Sequence, residues 1–192
     1  ENFELLYFSG ITLSLYKDAA LKDLLNFLTG YRRRGGLVAF DSNYRPQRWP
    51  DRQRAETIYQ DFYRQVDLAL PTLEDDVALF NLSTPEALLE KLASLGVSEV
   101  VIKQGPKGSL VNAEPGMGEA AIAVPAVEIA KVVDTTGAGD AFNGGFAVAL
   151  TENGKHNIKD SIKFASATAG LSTTKIGTAN SMPSRDEIDK LL

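Results

Sequence analysis

The sequence predicts an α/β fold with a largely parallel sheet, and three observations support this. Short β-rich runs alternate with longer amphipathic stretches along the whole chain. From Glu4 to Lys103 the order is strand–helix–strand, which calls for right-handed crossovers between parallel strands. Gly35–Gly36 stops one helical stretch and Thr84-Pro85 opens another, at seams between the runs where chain breaks are needed.

Glu4–Gly10 reads as a buried strand closed by a glycine turn. Lys17–Arg34 carries Leu21, Leu24, Leu25 and Leu28 at helical spacing and stops at Gly35–Gly36. Its Arg32-Arg33-Arg34 end suits the helix dipole and is expected to be solvated. Leu37–Asp41 is the next strand, Asp51–Gln65 a polar-faced helix and Leu68–Leu70 a short strand. A helix is expected over Glu74–Phe80. Another starts near Thr84, whose hydroxyl caps a first-turn proline, and ends before Gly96. Glu99–Lys103 is a strand, and Ser109–Asn112 and Ala120–Val124 are two more, joined by the glycine-rich stretch Glu114–Gly118. After Val132–Val133 a glycine turn opens a helix to about Leu150, and helices follow over Asn157–Thr173 and Ser184–Leu192.

The 192 residues suit one domain or most of one, and 44% hydrophobic against 23% charged content is the balance of a globular chain. A net charge of -5 argues against a general nucleic-acid surface, which would need a clustered basic face, though a phosphate site needs only local donors. There are no cysteines, which excludes disulfides, thiolate catalysis and zinc–thiolate centres. No apolar run reaches the roughly 20 residues that cross a bilayer, so a cytoplasmic protein without a membrane partner is expected. No repeat or linker divides the chain. It opens almost directly on a buried-looking strand, which leads us to expect that material upstream is missing. The lone His156 sits in a polar turn and is given no role.

The chemistry concentrates in Asp134-Thr135-Thr136-Gly137-Ala138-Gly139-Asp140. Two glycines free the backbone at the mouth of a helix, where unpaired N–H groups and the dipole attract an anion. Asp140 in the first turn is placed to take a proton from a hydroxyl attacking a phosphate held there. The plainer alternative is a glycine turn with an N-capping aspartate. Ala141, Gly144 and Gly145 are expected to let this helix pack closely.

This stretch, with Ala141-Phe142-Asn143-Gly144-Gly145-Phe146 after it, resembles the C-terminal signature of the PfkB (ribokinase-like) carbohydrate kinases. The likeness extends over essentially all 192 residues and implies a three-layer α/β/α kinase domain, of which residues 1–192 are the C-terminal portion. It implies that the backbone of Gly137, Ala138 and Gly139 stabilises the transferring phosphoryl group and that Asp140 is the base. Asp134 and Thr136 resemble the side of the loop that binds a monovalent cation such as K+, with Ile176–Ser181 completing that site. Lys103-Gln104-Gly105-Pro106-Lys107-Gly108 is similar to the family's nucleotide-side turn, which places Lys103, Gly105 and Gly108 near ATP, with Ser166 and Ala169 bordering the adenine.

Where the family carries Asn-x-x-Glu near Mg2+ and the phosphates, this chain has Thr72 and Asp75, so Asp75 is the expected metal-linked acid and Glu74 the fallback. Acids that merely suit a helix N-terminus are the alternative for this cluster. Asp41, Asn43, Arg45 and Trp49 resemble an Asp-x-Asn-x-Arg-x-x-x-Trp pattern of members acting on 2-keto-3-deoxygluconate or fructose. Asn43, Tyr44 and Arg45 are therefore the sugar-side candidates, and Arg45 can clamp a carboxylate or a phosphate bidentately. Tyr44, Leu6–Ile11 and Leu70–Leu73 favour the sugar acid, and Trp49 is expected to pack beneath the loop. The family's N-terminal part, with a Gly-Gly sugar site and a β-sheet lid that often forms the dimer contact, is absent. A nucleotide-binding fragment with no turnover is thus the second reading.

Overall fold

The computed structural model describes residues 3–112, 121–153 and 157–192. The stretch Glu114–Gly118, Ala120 and the turn around His156 lie outside the described residues. The chain divides into two compact units. One is built from Glu1–Lys103 with Leu110–Ile122, the other from Gln104–Ser109 with Ala123–Leu192. Six strands form one sheet in chain order, β1-β2-β3-β4-β5-β6.

In the first unit, β1 (Leu5–Ser9), β2 (Leu37–Asp41), β3 (Leu68–Ala69) and β4 (Glu99–Lys103) pair in parallel, Leu5 opposite Leu37, Ala39 opposite Leu68 and Leu68 opposite Glu99. Helices fill every crossover. They are α1 (Gly10–Leu15) and α2 (Asp18–Arg33), then α3 (Arg52–Tyr63), then α4 (Leu73–Phe80) and α5 (Pro85–Ser94). The expected α/β sheet is therefore present, and its parallel pairing explains why β2 and β4 read as unbroken apolar runs. Thr84 caps α5 as expected, its Oγ1 accepting the Ala87 N–H at 3.1 Å. β5 (Ser109–Asn112) and β6 (Ala121–Val124) follow.

The core of this unit is aromatic. Phe8 and Phe40 lie 4.8 Å apart, and Tyr63 meets Phe40 edge-on at 5.1 Å. Tyr59 touches Phe40, Tyr44 and Trp49, so Trp49 does pack beneath its loop. Each such pair adds about 1 kcal/mol beyond the area it buries. α3 is thus less polar than its sequence suggests, because Ala55, Tyr59, Phe62 and Tyr63 share one buried face at helical spacing.

Two expectations are corrected here. Gly10 does not close β1 in a turn; it begins α1, a six-residue helix whose β-branched residues hid its period. A Cβ at Gly10 would lie 1.9 Å from both the Ser42 carbonyl oxygen and the Tyr59 hydroxyl, so glycine is needed for close approach. Gly10→Ala is expected to cost about 1–3 kcal/mol by overpacking, read as a lower urea midpoint. Arg32, in turn, is not merely solvated. Its Nη2 and Nε donate to Asp67 at 2.7 and 3.1 Å, and Asp67 also accepts the Val38 N–H at 2.9 Å. The helix end is thereby tied to the start of β2 and β3.

The second unit is built on α6 (Ala138–Asn153), α7 (Ile158–Ser172) and α8 (Arg185–Leu191). A Cβ at Gly145 would come within 2.9 Å of the Thr168 side chain, so α6 and α7 meet there at backbone distance, as expected of a small residue. Gly144 is different: a Cβ there meets nothing within 4 Å, and close packing is not its role. Arg185 anchors α8 by bonding Glu152 on α6 and resting 4.9 Å over the Phe164 ring of α7.

Candidate active site

The second unit holds the glycine turn. Gly137 has φ +77, a left-handed conformation, and a Cβ there would press on Thr178 at 3.1 Å. The turn reverses the chain into α6, so that Asp140 stands exposed in the helix's first turn. Ala138 N–H is turned back to the Thr135 carbonyl at 3.1 Å, and Ala141 N–H bonds the Gly137 carbonyl at 2.8 Å. Gly139 and Asp140 N–H lie in the first turn, where a helix has no carbonyl of its own to offer them. Of the three expected backbone donors, Ala138 is the one already used within the turn.

Asp134 organises what lies beside this turn. Its Oδ1 accepts Thr136 Oγ1 at 2.6 Å and Thr136 N at 2.9 Å, and its Oδ2 accepts Gly177 N at 3.0 Å. These bonds, the Thr136 hydroxyl first, hold its carboxyl down to about 2, so it is ionised throughout the neutral range. Asp134, Thr136 and the 176–181 loop are therefore together, as expected. Within that loop Ser181 Oγ donates to the Gly177 and Thr178 carbonyls.

Gly105 and Gly108 form the turn after β4, with φ of +57 and +94. A Cβ at Gly108 would lie 2.2 Å from the Val124 carbonyl oxygen, so this glycine serves close packing against the end of β6. Ser166 Oγ on α7 accepts the Val127 N–H at 2.9 Å, a structural bond that ties α7 to the segment after β6.

The first unit gathers polar groups at the C-terminal ends of its parallel strands, where open α/β sheets bind ligands. Lys103 ends β4 and Asp41 ends β2; the Lys103 Nζ lies 3.2 Å from Asp41 Oδ1, with both side chains buried. Asn43 adopts φ +35, and its Oδ1 is buried with no hydrogen bond among the described residues. Tyr44 turns its ring into the core against Tyr59, and burial pushes its phenol up. Arg45 Nη1 donates to the Tyr44 carbonyl and to Asp75 Oδ2, both at 2.9 Å. Burial raises the Asp75 carboxyl against the opposing pull of Arg45. Glu74 is exposed. Among the described residues no three His, Asp or Glu side chains converge to hold a metal by themselves.

Sequence reasoning missed Asp76. It is fully buried, accepting Ser42 Oγ on one oxygen and Tyr63 Oη at 2.8 Å on the other. The signal was present: Asp76 precedes Leu79 and Phe80 by three and four residues, which puts it on the buried stripe of α4. Burial pushes its carboxyl up to about 7; the Ser42 and Tyr63 hydrogen bonds oppose this, and neighbouring Asp41 and Asp75 add to it. A carboxyl raised on folding stabilises the fold fully below its unfolded value of 3.8, and that contribution fades as pH rises through about 7. In magnesium-free buffer, Asp76→Asn is expected to flatten the fall in thermal midpoint between about pH 5 and pH 8. An unchanged slope would assign the pH dependence to other groups.

The family described as pfkB family carbohydrate kinase matches residues 1–185. A 2-dehydro-3-deoxygluconokinase of Escherichia coli (strain K12) is 40% identical over 153 residues, covering 78% of this chain and 48% of that protein. An aminoimidazole riboside kinase from Salmonella enterica, solved with aminoimidazole riboside and an ATP analogue, superposes with TM-score 0.84 at 26% identity, covering 97% of this chain and 62% of that one. A fructokinase from Vibrio cholerae O395, bound to fructose, ADP and calcium, gives 0.85 at 26% identity, covering 100% and 62%. The chain spans about half the length of the curated relatives it matches.

Proposed function

Since this chain belongs to the pfkB family of carbohydrate kinases, we propose that it is the C-terminal portion of one kinase domain, phosphorylating 2-keto-3-deoxygluconate to its 6-phosphate with ATP. The observation that carries this is Asp140, exposed in the first turn of α6 just after the left-handed Gly137. Two of the solved relatives were captured with an ATP analogue or ADP, which supports ATP as the donor. Relatives acting on the sugar acid, at 39–40% identity, support the acceptor.

On this reading Asp140 takes the proton of the acceptor hydroxyl as its oxygen attacks the γ-phosphorus. The bond to the β–γ bridging oxygen breaks and ADP leaves. The Gly137–Gly139 backbone and the α6 dipole offset the charge on the transferring group. Mg2+, when bound, neutralises phosphate charge. One or two carboxylates completed by phosphates suit that ion, and Asp75 is the residue that would hold its water shell. Asp134 would hold K+ with oxygens of the 176–181 loop. Lys103, Gly105, Gly108 and Ser166 are assigned to the nucleotide side, and Asn43, Tyr44 and Arg45 to the sugar. The same reading carries a cytoplasmic setting, no nucleic-acid or membrane partner, and self-association. No helix among the described residues is long and apolar enough to cross a membrane.

One observation favours a fructokinase instead. Arg45 is already paired with the chain's own Asp75, which leaves its guanidinium partly spent before a substrate carboxylate arrives. ADP release by the intact gene product, with 2-keto-3-deoxygluconate and fructose offered side by side, tests both. Preference for the acid supports the first reading, and preference for fructose supports the second. ATP binding with no turnover on any sugar would reduce this chain's role to nucleotide binding.

A further inference from the structure

The Asp76 carboxylate has no place in the proton transfer or in the phosphate turn, yet it is the most completely buried acid described, at 0% exposure. Its two oxygens are used by different elements. One accepts Ser42 Oγ from the loop that follows β2; the other accepts Tyr63 Oη from the last turn of α3, at 2.8 Å. Tyr59, one turn earlier on α3, donates its hydroxyl to the Ser42 carbonyl at 2.8 Å. Ser42 is thus held by both its side chain and its backbone, by two tyrosines' worth of rigid helix and by α4.

The residues on either side of these anchors are the sugar-side and metal-linked candidates. Asn43 follows Ser42 directly in a left-handed conformation that side chains seldom adopt, with its Oδ1 buried and free of hydrogen bonds among the described residues. Arg45 comes two residues later and reaches Asp75, the immediate neighbour of Asp76. The backbone N–H of Asp76 closes on the Thr72 carbonyl at 3.1 Å, which fixes the same first turn of α4. Stability alone would be served as well by apolar residues at 42, 63 and 76, since a buried polar cluster roughly breaks even with a hydrophobic one. A buried polar cluster does set geometry, because each hydrogen bond tolerates little displacement.

We propose that Asp76 is a positioning residue: through Ser42 and Tyr63 it locks the 42–45 loop to the first turn of α4, so that Asn43 and Arg45 meet the sugar in one fixed register with Asp75. This rests on the kinase reading above. It assigns to the Ser42–Asp76–Tyr63 cluster control over acceptor binding and none over the nucleotide turn, which belongs to the other unit.

The test compares wild type, Asp76→Ala, Asp76→Asn and Ser42→Ala in the intact gene product, well below each variant's unfolding temperature. Asp76→Ala is expected to raise the KM for the sugar about tenfold, with the KM for ATP within about twofold; Asp76→Asn, which keeps an acceptor and the shape, recovers most of the loss. Ser42→Ala, which deletes one bond and leaves no buried charge without a helix partner, is expected to raise the sugar KM in the same direction. It stands in if Asp76→Ala does not fold. Amide hydrogen exchange at Asn43–Arg45, measured without any substrate, is expected to quicken about tenfold in Asp76→Ala and little in Asp76→Asn. A sugar KM unchanged in both Asp76→Ala and Ser42→Ala, with turnover falling only as the folded fraction falls, overturns the proposal and leaves Asp76 a purely structural group. Wild type inactive on every sugar would instead overturn the kinase reading, and the exchange rates alone would then decide whether the cluster locks the loop.

Discussion

Replacing Asp140 with asparagine is expected to lower kcat about a thousandfold while leaving the affinity for ATP within about twofold. The substitution keeps the size and the hydrogen-bonding reach of the side chain and removes only its ability to take a proton. Asp140 is exposed in the first turn of α6, so no buried partner is lost and the fold is expected to weaken only slightly. A helix N-terminus favours an anion there, which sets the cost of the neutral residue at about 0.5 kcal/mol. Single-turnover phosphoryl transfer with saturating ATP and sugar reads the chemical step directly, and ATP titration reads the nucleotide site separately. Near-normal turnover in the asparagine variant would remove Asp140 from the role of base and restore the simpler account, a glycine turn with an acidic first-turn residue.

Lys103→Met is expected to destabilise the first unit by about 3–5 kcal/mol, because it deletes one partner of a buried charge pair. Lys103 is 7% exposed and Asp41 2%, and their charged atoms are 3.2 Å apart. Methionine keeps the length of the stem and its packing against the ends of β2 and β4, so the loss isolates the ammonium. Adding Asp41→Asn is expected to recover most of the stability, since the carboxylate is then no longer buried without its counter-charge. Urea midpoints of the two single variants and the double variant complete the cycle. The nucleotide role assigned to Lys103 makes the opposite forecast: stability close to wild type and a raised KM for ATP. The position of Lys103 at the end of a strand is compatible with either, and the cycle separates them.

Much of the first unit was legible because its signals are local. The apolar runs Leu37–Asp41 and Glu99–Lys103, the Gly35–Gly36 stop and the Thr84 cap each act within a few residues, and all appear in the structure. The turn at Gly137 was legible for the same reason: only glycine takes φ +77 without cost, and the acid that follows falls in the first helical turn. What stayed hidden depends on partners distant in sequence. Gly10 looked like a turn residue, and only the approach of Ser42 and Tyr59 shows that it is needed for its missing side chain. Asp75 and Asp76 looked alike as acids at a helix start. The fold separates them, sending one to Arg45 near the surface and the other to Ser42 and Tyr63 in the core.

The sequence by itself determined the class of fold, the order of the strands and of the helices other than α1, and the segment that bears the candidate base, because period, capping and backbone freedom are properties of neighbouring residues. Tertiary structure alone decided which partners within the protein the polar residues find. Arg45, Lys103, Ser166 and Tyr44 all read as ligand groups, and folding supplied each with a partner of its own: Asp75, Asp41, the Val127 N–H and the Tyr59 ring. For the buried Lys103–Asp41 pair the physical reason is that burial makes an unpaired polar group expensive, so long-range packing assigns partners that no local pattern encodes.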